Sequence, residues 1–534
     1  MSRSKKFGLS PLLFFVFIAG FFIQAMQPQT GVKKKRVEIE NADLYTYDAS
    51  IVANAQRLIG NVRFRHNQAL MFCDSAYSYT DSNKFDAFGN VHIIQGDTLH
   101  LYGDKMFYNG DTRLARFLSH VKMIDKSITL TTEAMDFDLS TNIGYYNHRG
   151  KIVDTTNVLT SIIGRYYSNE NLLFFKDSVV LTNKDFILRA DTLKYNSQTE
   201  RAFIVGPTTI KGTKKDGVLY SERGWYDTRK NIAELYKGSK ITTKSQILEG
   251  DTLFYDRATG NGRGKHRVTL RDTTNKILIK GKFGVYNETS KIAFVTDSAM
   301  FIQFGKKDTM YMHADTLRTK PDTTDTKNKD AKYFMAYRNV RFHKPDLQGK
   351  CDSLGYKMVD STMLMFYDPM VWSVKNQMTA DKIQFVSKQP DPSIANLDGN
   401  AFIVMAEDSI RFNQISGKSI IGQIFNNKLR IADVNGNSQT LYYLKDKEKY
   451  SGMNRLLSSK IKLHLTENRI DSIRFYPKPE GKTIPIKELN EEDKKLDGFV
   501  WRESERPLNP GDLYPIDEKR KKNAGPVRKP ASNE

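Results

Sequence analysis

The sequence predicts an all-β fold: an elongated stack of short strands built from a repeating unit of about 30 residues. Three observations predict it. A Gly-Asn-Val segment with alternating residues after it recurs along the chain, a small-Asp-Ser/Thr-apolar-x-Tyr segment recurs between its copies, and helical periodicity is absent before about Ile486.

The first half-unit is clearest at Gly60-Asn61-Val62-Arg63-Phe64 and Gly89-Asn90-Val91-His92-Ile93. Related stretches centre on Val121, Ile152, Val179, Thr209, Ile241, Val268, Ala299, Val340, Val371 and Ala401, which makes twelve centres about 31 residues apart. One interval is longer, 41 residues from 299 to 340, and the excess falls in residues 319–331, a polar stretch that reads as a loop insertion.

The second half-unit stands at Ala190-Asp191-Thr192-Leu193-Lys194-Tyr195, Gly250-Asp251-Thr252-Leu253-Phe254-Tyr255 and Cys351-Asp352-Ser353-Leu354-Gly355-Tyr356. Weaker copies end at Tyr108 and Tyr286. Both half-units alternate with period two and are rich in β-branched and aromatic residues, the pattern of half-buried strands. The Asn, Asp and Gly between them read as tight turns. A lone strand pair cannot bury its apolar face, but a stack of pairs can; at about 4.8 Å per strand the body is on the order of 60 to 120 Å long.

Arg3, Lys5 and Lys6 precede an apolar run from Leu9 to Ile23, so residues 1–26 read as a secretory signal, with an uncleaved anchor as the alternative. The repeats then occupy 38–318 and 332–440, a β cap 441–480, and a charged, proline-rich and largely disordered tail 481–534. A net charge of +21 suits an anionic partner such as nucleic acid, an acidic membrane surface or a phosphorylated glycolipid, and export argues against nucleic acid. Cys73 and Cys351 occupy the same small position of the second half-unit. In a linear stack they lie many layers apart, beyond reach of a disulfide, so two free buried thiols are expected.

These residues carry a resemblance. The alternation of Gly-Asn-Val strands with Ala/Gly-Asp-Thr-Leu-x-Tyr strands behind an export signal, over most of 38–440, resembles the organic solvent tolerance protein A (OstA, LptA) family. The resemblance implies a β-jellyroll of two stacked antiparallel sheets, open along one side, in the periplasm. It implies an apolar groove that shelters the lipid A acyl chains of lipopolysaccharide and passes them towards the outer membrane. The implied partners are lipopolysaccharide and other envelope transport components of the inner and outer membranes, with head-to-tail self-association as a further possibility. This chain has more repeats than a minimal member and continues past residue 440.

Strand parity nominates the inward residues Val62, Phe64, Val91, Ile93, Val121, Met123, Val179, Leu181, Val268, Leu270, Val340 and Phe342. They line either an ordinary packed core or the lipid groove that the resemblance implies. Lipid phosphates at the groove mouth would meet Arg63, Arg65, Lys122, Lys176, Arg267, Arg271, Arg341 or Lys344, unless these charges merely solvate outward faces. The Asp-Thr and Asp-Ser pairs recur once per repeat, which fits backbone hydrogen bonding at a turn or strand start better than catalysis or calcium binding. The nine histidines show no metal-ligand spacing, and no nucleophile elbow or phosphate loop occurs. The expectation is therefore a binding protein, not an enzyme, with no cofactor or metal. The rivals are a structural or adhesive envelope scaffold with a sealed core, and a carbohydrate-active β-helix, whose shorter period fits poorly.

Overall fold

The computed structural model describes residues 35–47, 54–213, 217–305, 308–323, 331–388, 390–426, 428–447, 449–466 and 469–514. The expected export signal and residues 324–330 of the loop lie outside them. Among the described residues, antiparallel hydrogen bonding joins 38 strands into one continuous sheet, and no helix is long and apolar enough to cross a membrane.

A repeat is a pair of strands, long in Gln56–His66 and Ala69–Tyr79, each 11 residues, and split at the bend into shorter ones elsewhere, as in Ile143–Tyr146 and Gly150–Val153. Gly-Asn, at the head of the first half-unit, forms a bulge within a strand. Ile59 pairs with Ser75 and Val62 with Cys73, so Gly60 and Asn61 together face Asp74. Both have positive φ, 76° and 46°, which bends the strand sharply. The same double bend recurs at Gly89-Asn90, Ser119-His120, Asp177-Ser178, Arg338-Asn339 and Gly399-Asn400. It also occurs at His266-Arg267, Asp297-Ser298 and Gly436-Asn437, the last in the strand Lys428–Asp446, which continues past residue 440 into the expected cap.

The aligned bends crease the sheet lengthwise, and its two halves close over one core. Phe64 and Phe85 stack across the fold with ring centroids 4.0 Å apart, and Phe301 meets Phe334 at 4.5 Å. The crease explains the second half-unit. On Ala69–Tyr79 the inward residues are Ala69, Met71 and Cys73 before Asp74, and Ala76 and Ser78 after it, so the inward parity switches at the Asp. The residue before the Asp lies where the two halves converge and must be small. At Gly281, the equivalent position in a weaker copy where Lys282 replaces the Asp, a Cβ would sit 2.4 Å from Val295 Cγ1. Cys73 and Cys351 hold this position as free, buried thiols.

The Asp itself has a structural role, but not at a strand start. Asp74 accepts from Asn90 Nδ2 of the next strand's bend at 2.9 Å, and Asp43, Asp315 and Asp381 do the same for Asn61, Asn339 and Asn400. Where the bend lacks Asn, His120 bonds Asp104 and Arg267 bonds Asp251.

The expectation of disorder from residue 481 does not hold for 486–514, which lie as an extended strap across the outer face of the sheet. One cross-strand row, Gln348, Trp372, Gln377, Val404, Gln414 and Leu441, forms its bed. Gln377 donates to Val500 O at 2.6 Å and accepts from Arg502 N at 2.8 Å. Gln414 holds Lys494 O and Leu496 N in the same two-point manner at 2.7 and 2.8 Å. Further on, Arg506 donates to Gln348 and His343 to Pro507 O. Leu496 and Leu513 are buried, and Phe499 and Trp501 pack on Phe412. Prolines and charges suggested a solvated chain. The amides on the sheet satisfy its backbone instead.

Candidate functional site

All twelve parity-nominated residues point into the fold and are at least 95 % buried, within one continuous apolar cluster. Whether that interior opens depends on the free margins of the two half-sheets, which face each other opposite the crease.

Over the N-terminal two thirds these margins are joined. The Tyr that ends the second half-unit reaches across. Tyr195 donates to Asp154, Tyr166 to Asp125 at 2.8 Å, and Tyr108 bonds His66 Nδ1 at 2.6 Å. Burial pushes all three phenols well above their usual range, and the facing carboxylates add to the shift for Tyr166 and Tyr195, so they remain neutral donors. Desolvation likewise holds His66 below its ordinary value. Between these latches Gln95 bonds Leu139 O and Asn142, and Lys126 bonds Ser168 O and Asn171. Asn157 reaches Thr228, and Lys332 pairs with Asp272.

Past Lys332 the margins part around an apolar cavity of about 260 Å³. Met310, Phe342, Leu347, Met363, Met378, Phe385, Ile403, Ile424 and Leu429 line it, with Lys344, Asp346, Ser361, Ser373, Asn376, Ser387 and Ser393 among its polar lining. Tyr356, the latch position of its repeat, lines the cavity as well. Lys344 Nζ stands 3.4 Å from Asp346 and 3.6 Å from Asp308. Such a site offers dry apolar contact beneath a polar, partly cationic lip, with methionines able to adapt their shape.

Of the twelve nominated residues only Phe342 lines this cavity; the others are packed, all but Val340 within the latched repeats. Of the eight basic candidates only Lys344 stands at it, while Arg63 and Arg65 pair with Glu40 and Arg267 with Asp251. Parity could not separate open from filled layers. One compositional signal was present: eight of the 17 methionines fall between Met310 and Met378. Among the described residues no group of three or more His, Cys, Asp or Glu side chains could hold a metal ion.

Comparison with known families agrees with this geometry. Residues 34–191 match the family described as OstA-like protein, and residues 159–261 match the one described as LptA/(LptD N-terminal domain) LPS transport protein. No curated protein matches the chain. The two matches overlap and continue one another through the creased, latched repeats, so residues 34–261 are similar to the OstA-like and LptA/LptD N-terminal families of lipopolysaccharide transport proteins.

Proposed function

We propose that the protein is a periplasmic carrier that shelters the lipid A acyl chains of lipopolysaccharide between its two half-sheets and passes them towards the outer membrane. The observation that carries this reading is the apolar cavity at Phe342, Met363 and Met378, opening where the margins part. Each CH2 transferred from water to such a surface contributes roughly 0.8 kcal/mol, so holding lipid needs no cofactor and no covalent chemistry. Lys344 would meet a lipid phosphate at the lip. Other envelope transport components supply and receive the lipid. The N-terminal edge favours docking of such a component or a second copy, because its short strands leave Leu44, Tyr45 and Tyr47 more than half exposed.

The test is a photoreactive phenylalanine analogue at Phe342 or Met363 in the full chain, irradiated with purified lipopolysaccharide. Capture at these positions, with little at an outward control such as Arg63, is the expected result. The rival reading, a sealed envelope scaffold, draws on the filled interior of the latched repeats and predicts no capture at either position while the fold persists.

A further inference from the structure

The cavity and the latched interior belong to one continuous apolar cluster, and the cavity opens it at its C-terminal part. Leu173, Phe175 and Leu181 pack as tightly as any core, at 0 to 1 % exposure. On the free side they are separated from solvent by the row of side-chain contacts at the margins, in which Tyr108, Tyr166 and Tyr195 meet His66, Asp125 and Asp154, and Gln95, Lys126 and Asn157 bond across between them. The sheet hydrogen bonds do not cross this side. They hold the crease and the layers, so the margins can part without breaking any ladder.

We infer that the tyrosine row is a gate: lipid resting in the cavity advances into the N-terminal repeats only as these latches release in turn. This rests on the lipid-carrying reading above and specifies its regulation. The chemistry suits a gate better than a permanent closure. Each latch is a neutral phenol on a carboxylate or imidazole, a bond that water can replace on both sides once the margin opens. The rings themselves are apolar, so a displaced tyrosine can lie along an acyl chain. The repeat spacing sets successive latches one or two repeats apart, so one can open while its neighbours hold the layers in register.

The experiment uses the full chain with Cys73→Ala and Cys351→Ala, a photoreactive phenylalanine analogue at Phe342 or at Phe175, and purified lipopolysaccharide. In a loosened variant, Tyr108→Phe, Tyr166→Phe and Tyr195→Phe keep the rings and remove the latch hydroxyls. In a locked variant, Asp154→Cys and Tyr195→Cys are bridged by a short bismaleimide. Capture at Phe175 is expected to rise several-fold on loosening and to fall several-fold on locking, with capture at Phe342 unchanged. Equal capture at Phe175 in native, loosened and locked protein would overturn the gate while leaving the carrier intact. If the loosened chain fails to fold, the locked chain decides alone. Absence of capture at Phe342 in folded native protein removes the carrier reading and the gate with it.

Discussion

Asn90 donates its side-chain amide to Asp74 at 2.9 Å, linking the bend of one strand to the parity switch of the strand before it. Asn90 tolerates its φ of 44° because a short amide suits the left-handed region. Asn90→Ala loses both the bond and that tolerance and is expected to destabilise the local layers by about 1 to 2 kcal/mol. Asn90→Gly keeps the backbone freedom and should lose less. Urea midpoints for the two variants check the order, and equal losses would mean that the bond, not the bend, dominates.

The strap depends on amides that lie on the sheet. Removing Gln377 and Gln414 by Gln→Ala leaves Val500 O, Arg502 N, Lys494 O and Leu496 N without their partners. Each site should lose about 1 to 3 kcal/mol of docking. Limited proteolysis would then cut within 486–514 early while the repeats stay intact. A cleavage pattern identical to the native one refutes the role given to the glutamines.

Filling the cavity should block lipid without unfolding the chain. Met363 is 94 % buried against an existing void, so Met363→Trp occupies space instead of forcing a packed core apart. The expected outcome is a several-fold drop in lipopolysaccharide capture at Phe342 with a thermal midpoint within a few degrees of native. A large fall in the midpoint would show that the site was packed after all.

Burial raises the thiols of Cys73 and Cys351 to about 12. Their thiolates are therefore scarce in the folded protein, and maleimide labelling at pH 8 should be negligible until denaturant is added. A raised thiol pKa favours the protonated folded state. Its contribution to stability is complete below the unfolded value near 9 and is lost as pH climbs from there towards 12. Stability measured across that window should fall less in the double Cys→Ala variant.

His66 gives the opposite acid-side behaviour. Its ring is held neutral by burial between Tyr108 and Lys35 O, below its ordinary value of 6.5. The stabilising contribution is present above 6.5 and is lost as pH falls through the lowered folded value. Amide protection factors at Leu99–Asn109, referenced to the slower intrinsic exchange in acid, should fall on mild acidification, and His66→Gln should flatten the response.

The repeat was legible because each motif position answers to one physical demand. Val62 and Phe64 alternate inward, the small residue at Cys73 fits the crease, and Asp74 ties the next bend. That Gly60-Asn61 bulges within its strand was not legible, since a two-residue bulge and a two-residue turn draw on the same φ-tolerant residues. The open cavity was not legible at all. Phe64 and Phe342 occupy equivalent motif positions, and only the spacing of margins far apart in sequence decides that one is packed and the other lines a void. The strap was hidden for a related reason: its anchors Leu496, Phe499 and Trp501 follow no period, and the glutamines that receive them stand at positions where polar residues normally signify solvent.

The strap's contacts are also among the most remote in the chain, with His343 and Pro507 separated by 164 residues and Gln348 and Arg506 by 158. The layers, by contrast, form between sequence neighbours and can assemble in order. The strap's docking therefore certifies that every layer from His343 to Leu441 is already in place. A product cut short before residue 486 would present Trp372, Phe402, Val404 and Leu441 bare on its surface, the kind of blemish by which chaperones and proteases recognise an unfinished chain.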